Sequence, residues 1–171
     1  MPHATTEYHP ATRTWFPAGA WKQWIPALIW ITIITFESTD LFSAEHTSSA
    51  LYSVISQVFG PVNPATFDFW HHYLRKLGHF VGFFILSYLL FRAWRATLPA
   101  RGLGLWSLPW ARVSFLMSVM VATLDEWHQS TIPSRTGNFH DVILDSTAAL
   151  TTQIFLWLFL RKRTLDGDMA M

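Results

Sequence analysis

The chain of 171 residues contains no cysteine. Disulfides, thiolate nucleophiles and cysteine-based metal sites are therefore excluded. Charge is scarce as well: 12 Lys and Arg stand against 11 Asp and Glu, for a net charge of +1. A soluble domain of this length needs a charged surface. Here the charges are missing from long blocks and crowded between them, which is the pattern of a membrane protein. A balance so close to neutral says little about partners and its distribution says much more; no nucleic-acid partner is expected. A spaced His-x-x-x-His metal motif is also missing, and no internal repeat is evident.

What is present is apolar and aromatic: 51% hydrophobic residues, with ten Trp and fourteen Phe. Aromatic residues at membrane borders usually form anchoring belts, so no chemistry is assigned to them. Residues 1–20 mix Pro, Thr, His and Ala without periodicity and read as a cytoplasmic N-terminal tail. A first span follows from about Trp21 to Phe36. It is near the lower length limit for crossing a bilayer, and no small-x-small cleavage site follows it, so it reads as an uncleaved span.

From Ser48 to Phe59, Leu51, Val54, Ile55, Val58 and Phe59 recur at helical spacing with Ser and Gln opposite. This is an amphipathic helix too short to span, suited to the interface and stopped by Gly60-Pro61. Asn63-Pro64 marks a further helix start that leads into a second span, Leu77 to about Trp94. A third span covers about Leu105 to Leu124, with Pro109 tolerable in its first turns and Arg112 snorkelling to the near interface. The fourth covers about Asp141 to Leu160, capped by Asn138 and closed by Arg161-Lys162-Arg163; residues 161–171 form a C-terminal tail. The expected fold is thus an all-α membrane protein: a four-transmembrane-helix bundle over residues 21–160, with an additional amphipathic interfacial helix between helices 1 and 2.

Basic residues set the orientation. Arg13, Lys22, Arg92, Arg95, Arg101, Arg112, Arg161, Lys162 and Arg163 fall on one side, and only Arg75, Lys76 and Arg135 on the other. Both termini and the middle connection should be cytoplasmic, in a bacterial inner membrane crossed several times. All four spans then bring polar groups to the same, outer end. Glu37 ends the first, Lys76 and His79 open the second, Asp125, Glu126, His128 and Gln129 end the third, and Asp141 and Asp145 open the fourth. Arg135 lies between the last two. Lys76 and His79 are three apart and share a face, and Asp125 and Gln129, four apart, align. Asp141, Asp145, Ala148, Ala149 and Thr152 form one polar and small stripe suited to close packing. Asp141 alone is well explained as a helix N-terminal charge, and Glu37, Lys76 and Arg135 can simply snorkel or cap. Asp145 sits more than one turn inside its span, where a charge costs at least ~2.5 kcal/mol on insertion scales, so it should face the bundle interior.

The order Lys76-x-x-His79-Phe80, Asp125-Glu126-x-His128-Gln129, Pro133-x-Arg135-x-Gly137 and Asp141-x-x-x-Asp145 resembles the VanZ-like family of bacterial membrane proteins, over about residues 21 to 160. Phe36-Glu37-Ser38-Thr39 fits where that family carries a Ser-containing motif at the end of its first helix. The resemblance implies a link to low-level resistance to the glycopeptide teicoplanin, an antibiotic that binds cell-wall precursors outside the membrane. It implies no settled reaction, cofactor or metal.

Three functions are compatible with these residues. A non-enzymatic envelope protein would bind a membrane lipid headgroup or a lipid-linked cell-wall precursor, with Lys76 and Arg135 meeting phosphate. An enzyme acting on a lipid-linked phosphate would use His79 or His128 as acid or base, with Asp125, Glu126, Asp141 and Asp145 able to hold a divalent cation. A proton-coupled carrier would relay charge through Asp145, although four short helices leave little room for alternating access. Interfacial histidines such as His140 are commonly only polar, which weighs against a zinc site. Oligomeric state cannot be read from the sequence.

Overall fold

The computed structural model describes residues 17, 19–39, 44–98, 104–133, 135 and 137–168, with the backbone alone for 44–46 and 161–168. Most of the expected N-terminal tail, the last residues of the C-terminal one, and the charges Asp40 and Arg101 lie outside them. Among the described residues all regular structure is helical. The five helices are α1 (Trp21–Glu37), α2 (Ala44–Phe59), α3 (Pro64–Thr97), α4 (Leu108–Ser130) and α5 (Phe139–Asp168).

The helix boundaries follow local chemistry. Gly60, at φ 86°, ends α2 in a left-handed turn that side chains rarely adopt, and its N–H donates to Ser56 O at 3.1 Å. Asn63 then caps α3: its Oδ1 accepts from Ala65 N at 2.9 Å and Thr66 N at 3.4 Å, with Pro64 in the first turn. The expected second span is therefore the latter part of one 34-residue helix. Asn138 caps α5 by accepting from His140 N at 3.1 Å. Several boundaries differ from the sequence reading, among them that of α4, which starts at Leu108 and runs past Leu124 to Ser130. Helix α2 starts at Ala44, four residues before the amphipathic pattern, and α5 continues past Arg161-Lys162-Arg163 to Asp168. Basic residues complement a helix C-terminus, but they do not break a helix.

Helix α3 is the hub. It packs against α1, α4 and α5, α5 also packs along α4, α1 meets α4 more lightly, and α2 lies against α3. The core joins Ala27 and Ile34 of α1, Phe83, Leu86 and Leu90 of α3, Ala122 of α4 and Ala148 of α5. The fully buried alanines at the crossings let the backbones approach closely. Side-chain bonds stitch α3 to α5: Ser87 Oγ donates to Ala149 O at 3.1 Å, and Thr152 Oγ1 to Phe84 O at 2.9 Å. A second cluster of Phe91, Trp110 and Ala111 closes the other end, where Trp24 Nε1 donates to Thr97 Oγ1 at 2.9 Å.

Polarity is inverted relative to a soluble bundle. Ser87, Ser114, Ser118, Asp145, Thr152 and Gln153 are buried, while Leu28, Ile29, Leu77, Leu116, Ile154 and Leu158 are exposed. So large an apolar exterior calls for a non-aqueous surround. Two helices, Pro64–Thr97 and Phe139–Leu160, are long and apolar enough to cross a membrane. Helix α1, with 17 residues, reaches only about 25 Å, against ~30 Å of hydrocarbon. Helix α4 carries Asp125 and Glu126 within its last turns.

Candidate functional site

The ten residues singled out by sequence gather at the end of the bundle where α1 and α4 finish and α5 begins, some paired across helices and others within a helix or to the backbone. Lys76 of α3 forms an ion pair with Asp141 of α5. One turn deeper, His79 Nδ1 lies 3.6 Å from Asp145 Oδ2. Spacings of three on α3 and four on α5 thus make two successive rungs between the helices. The Asp145 side chain is fully buried, and among the described residues neither carboxylate oxygen has a hydrogen-bond partner. On α4, Gln129 Nε2 donates to Asp125 Oδ2 at 2.8 Å, as the four-residue spacing requires.

The remaining members secure the loop and the end of α1. Glu126 Oε2 accepts from Asn138 N at 2.7 Å, tying the end of α4 to the start of α5. Beside it Gly137 passes so close that a Cβ would lie 2.4 Å from Glu126 O, which leaves room only for glycine. Arg135 is buried and donates through Nη2 to Glu37 O at 2.6 Å and Thr39 O at 2.8 Å. A cation thereby satisfies carbonyls that the end of α1 leaves open. His128 Nδ1 lies 3.0 Å from Ser38 Oγ, with the ring otherwise exposed. His140 contacts Asn138 and stands apart from the cluster.

These pairs surround two spaces that share Glu37, Gly78 and His79. The inner one is a partly open cavity of about 30 Å³ lined by Glu37, Ser38, His79, Asp125 and Gln129 against Gly78 and Gly82. It has room for one or two waters, since one needs roughly 10–15 Å³. The outer one is a groove of about 400 Å³ beside α2, lined by Glu37, Thr47, Leu51, His71, Leu74, Arg75, His79 and Arg135. Arg75 reaches across it to Thr47 Oγ1 at 3.5 Å. Neither glycine would meet an atom within 4 Å if given a Cβ, so both hold the cavity open instead of permitting a contact.

Sequence reasoning missed Ser38, His71, Arg75, Gly78 and Gly82 as lining residues. Gly78-x-x-x-Gly82 was a usable signal, because small residues four apart make one flat helix face. Among the described residues, no three His, Asp or Glu converge as a metal-holding group.

Neither a curated protein nor a solved structure matches the chain. The family model described as VanZ/LLP1 matches residues 16–161, which takes in α1 to α4, α5 as far as Arg161, and every residue of the site. With two helices able to cross a bilayer, the protein is a membrane protein. The chain belongs to the VanZ/LLP1 family.

Proposed function

We propose that this is an inner-membrane protein in which α1, α3, α4 and α5 all cross the bilayer, with both termini cytoplasmic. Its outer end binds the polar head of a lipid or of a lipid-linked cell-wall precursor. The observation that carries this reading is the groove beside α2. It brings the nitrogen-bearing side chains of His71, Arg75, His79 and Arg135 together with the apolar Leu51 and Leu74 in one concavity of about 400 Å³. Arginine recognises phosphate with several donors at once, and an adjoining apolar wall suits an isoprenyl or acyl chain. Helix α2 leaves Leu51, Val54, Val58 and Phe59 exposed, as a helix lying in the interface would.

Native mass spectrometry of the detergent-purified chain tests this. A phospholipid or polyprenyl-linked phosphate should be retained by the wild type and lost from Arg75→Ala. Equal retention by both, or no adduct with either, would overturn it. The glycopeptide link belongs to the same proposal. Expression in a susceptible bacterium should raise the teicoplanin concentration needed to stop growth, and Arg75→Ala should remove that rise.

A second reading, catalysis on a lipid-linked phosphate, is favoured by the contact of Ser38 Oγ with His128 Nδ1 at the cavity. A hydroxyl beside an imidazole is the minimum for nucleophilic or general-base chemistry. The neighbouring Glu37 and Asp125 would oppose developing negative charge, so this reading ranks second. Product formation that Ser38→Ala abolishes, with ligand retention unchanged, would place it first.

A further inference from the structure

We infer, on the reading that the groove beside α2 holds a phosphate head, that His79 is the residue that makes its binding depend on a proton. The ring donates to the phosphate only when it and Asp145 hold two protons between them.

His79 is placed to serve two partners at once. Its Nδ1 faces Asp145 Oδ2 at 3.6 Å, while its side chain is 29% exposed and lines both the inner cavity and the groove. A flipped ring would set a carbon against that carboxylate, so the nitrogen belongs there. The ring is rigid, and Nε2 therefore points away from Asp145. Nε2 makes no hydrogen bond among the described residues, and unlike Asp145 Oδ1 and Oδ2 it is not sealed from its surroundings. It opens on the spaces that the ring lines, of which only the groove has room for a ligand.

Proton count then decides what the groove meets. With one proton on the pair, that proton sits between Nδ1 and the carboxylate, and Nε2 turns a bare lone pair outward. A lone pair repels a phosphate oxygen, and the charge of the pair lies behind it. With two protons, however the inner one is shared, Nε2 carries an N–H and donates to phosphate.

The other charges around the ring do not make this distinction. Glu37 of α1 and Asp125 of α4 line the cavity beside it, and Glu126 adds its field from α4. On α5, Asp141 is held by Lys76 of α3. Arg75 and Arg135 line the groove, to which the described side chains of α2 bring Thr47 and Leu51. Arginine keeps its donors at every working pH. His71 also lines the groove and changes charge near neutral pH, which makes it the control.

Binding of a chain-labelled phosphatidylglycerol to the full chain in mild detergent, from about pH 5.5 to 8.5, tests this. Its phosphodiester keeps the same charge throughout, and the binding lost in Arg75→Ala reports the groove. That binding should weaken toward alkaline pH by up to about tenfold per pH unit, the slope of one proton. His79→Gln should flatten the slope, while His71→Gln should leave it in place. Should His79→Gln fail to fold, the double variant with Asp145→Asn, which strands no charge, takes its place. A flat profile in the wild type would overturn the role of His79 and leave the phosphate reading of the groove intact. A slope that survives in His79→Gln, or one that vanishes in His71→Gln, would do the same. No Arg75-dependent binding at any pH would overturn both.

Discussion

His79 Nδ1 stands 3.6 Å from Oδ2 of Asp145, and that imidazole is the only ion-pair partner of a fully buried carboxylate with no hydrogen bond among the described residues. The two members are not equivalent. His79 lies on the cavity wall and keeps some contact with its surroundings, whereas Asp145 has none. Removing one partner of a buried pair is costly because the other is stranded, and here only one of them can be stranded deeply.

His79→Ala should therefore destabilise the protein by ~3 kcal/mol, and Asp145→Asn by only ~1 kcal/mol. The double variant should recover most of the loss caused by His79→Ala alone. A thermodynamic cycle in one detergent measures this directly. Additive single effects would mean that the two side chains do not interact.

Arg135 makes a second such relationship, between a loop and the end of a helix. Its Nη2 serves the last carbonyl of α1, Glu37 O, and that of Thr39 just beyond it, so Arg135→Ala leaves both without that donor. The expected cost is ~2 kcal/mol, or a fall in Tm of roughly 4–8 °C for a chain of this size. Arg135→Lys should restore part of it, because a single ammonium lacks the planar fork of donors. An unchanged Tm in Arg135→Ala would show that the end of α1 needs no cap.

Much of this arrangement was legible in the sequence, for identifiable reasons. The spacings Lys76–His79, Asp141–Asp145 and Asp125–Gln129 placed each set on one helical face, and each pairs in the structure. Asn63 and Asn138 declared two helix starts by their capping chemistry. The partner of His128 was not legible, because Ser38 lies 90 residues away on another helix. The same holds for Glu126, which spacing grouped with the cluster although its carboxylate binds the backbone of Asn138. Periodicity reports which residues share a face of one helix. It does not report which neighbour that face meets.

Two glycines give a contrast that tests the packing. A Cβ on Gly137 would lie 2.4 Å from Glu126 O and 2.8 Å from Ser130 Cβ. Gly137→Ala must shift the loop, at an expected cost of ~2 kcal/mol. A Cβ on Gly82 meets nothing within 4 Å, so Gly82→Ala should be neutral or stabilising by up to ~1 kcal/mol through helix propensity. The methyl would enter the inner cavity, which has room only for a water or two, and not the groove beside α2, so ligand retention should be kept along with stability. Thermal unfolding and native mass spectrometry of the same samples check both.

The absence of cysteine makes orientation directly measurable, because any cysteine introduced is the sole reactive thiol. Thr131, just after α4, and Pro17, before α1, are both exposed in the structure. In the orientation proposed above, from four crossings and nine basic residues against three, the site would face outward and α1 would begin in the cytoplasm. Thr131→Cys should then react with a membrane-impermeant maleimide on intact spheroplasts, while Pro17→Cys should react only after permeabilisation. The reverse pattern would invert the protein and turn the groove beside α2 toward the cytoplasm, away from extracellular precursors. Labelling of both positions from outside would mean an even number of crossings between them instead of three, and α1 or α4 would then lie along the membrane instead of through it.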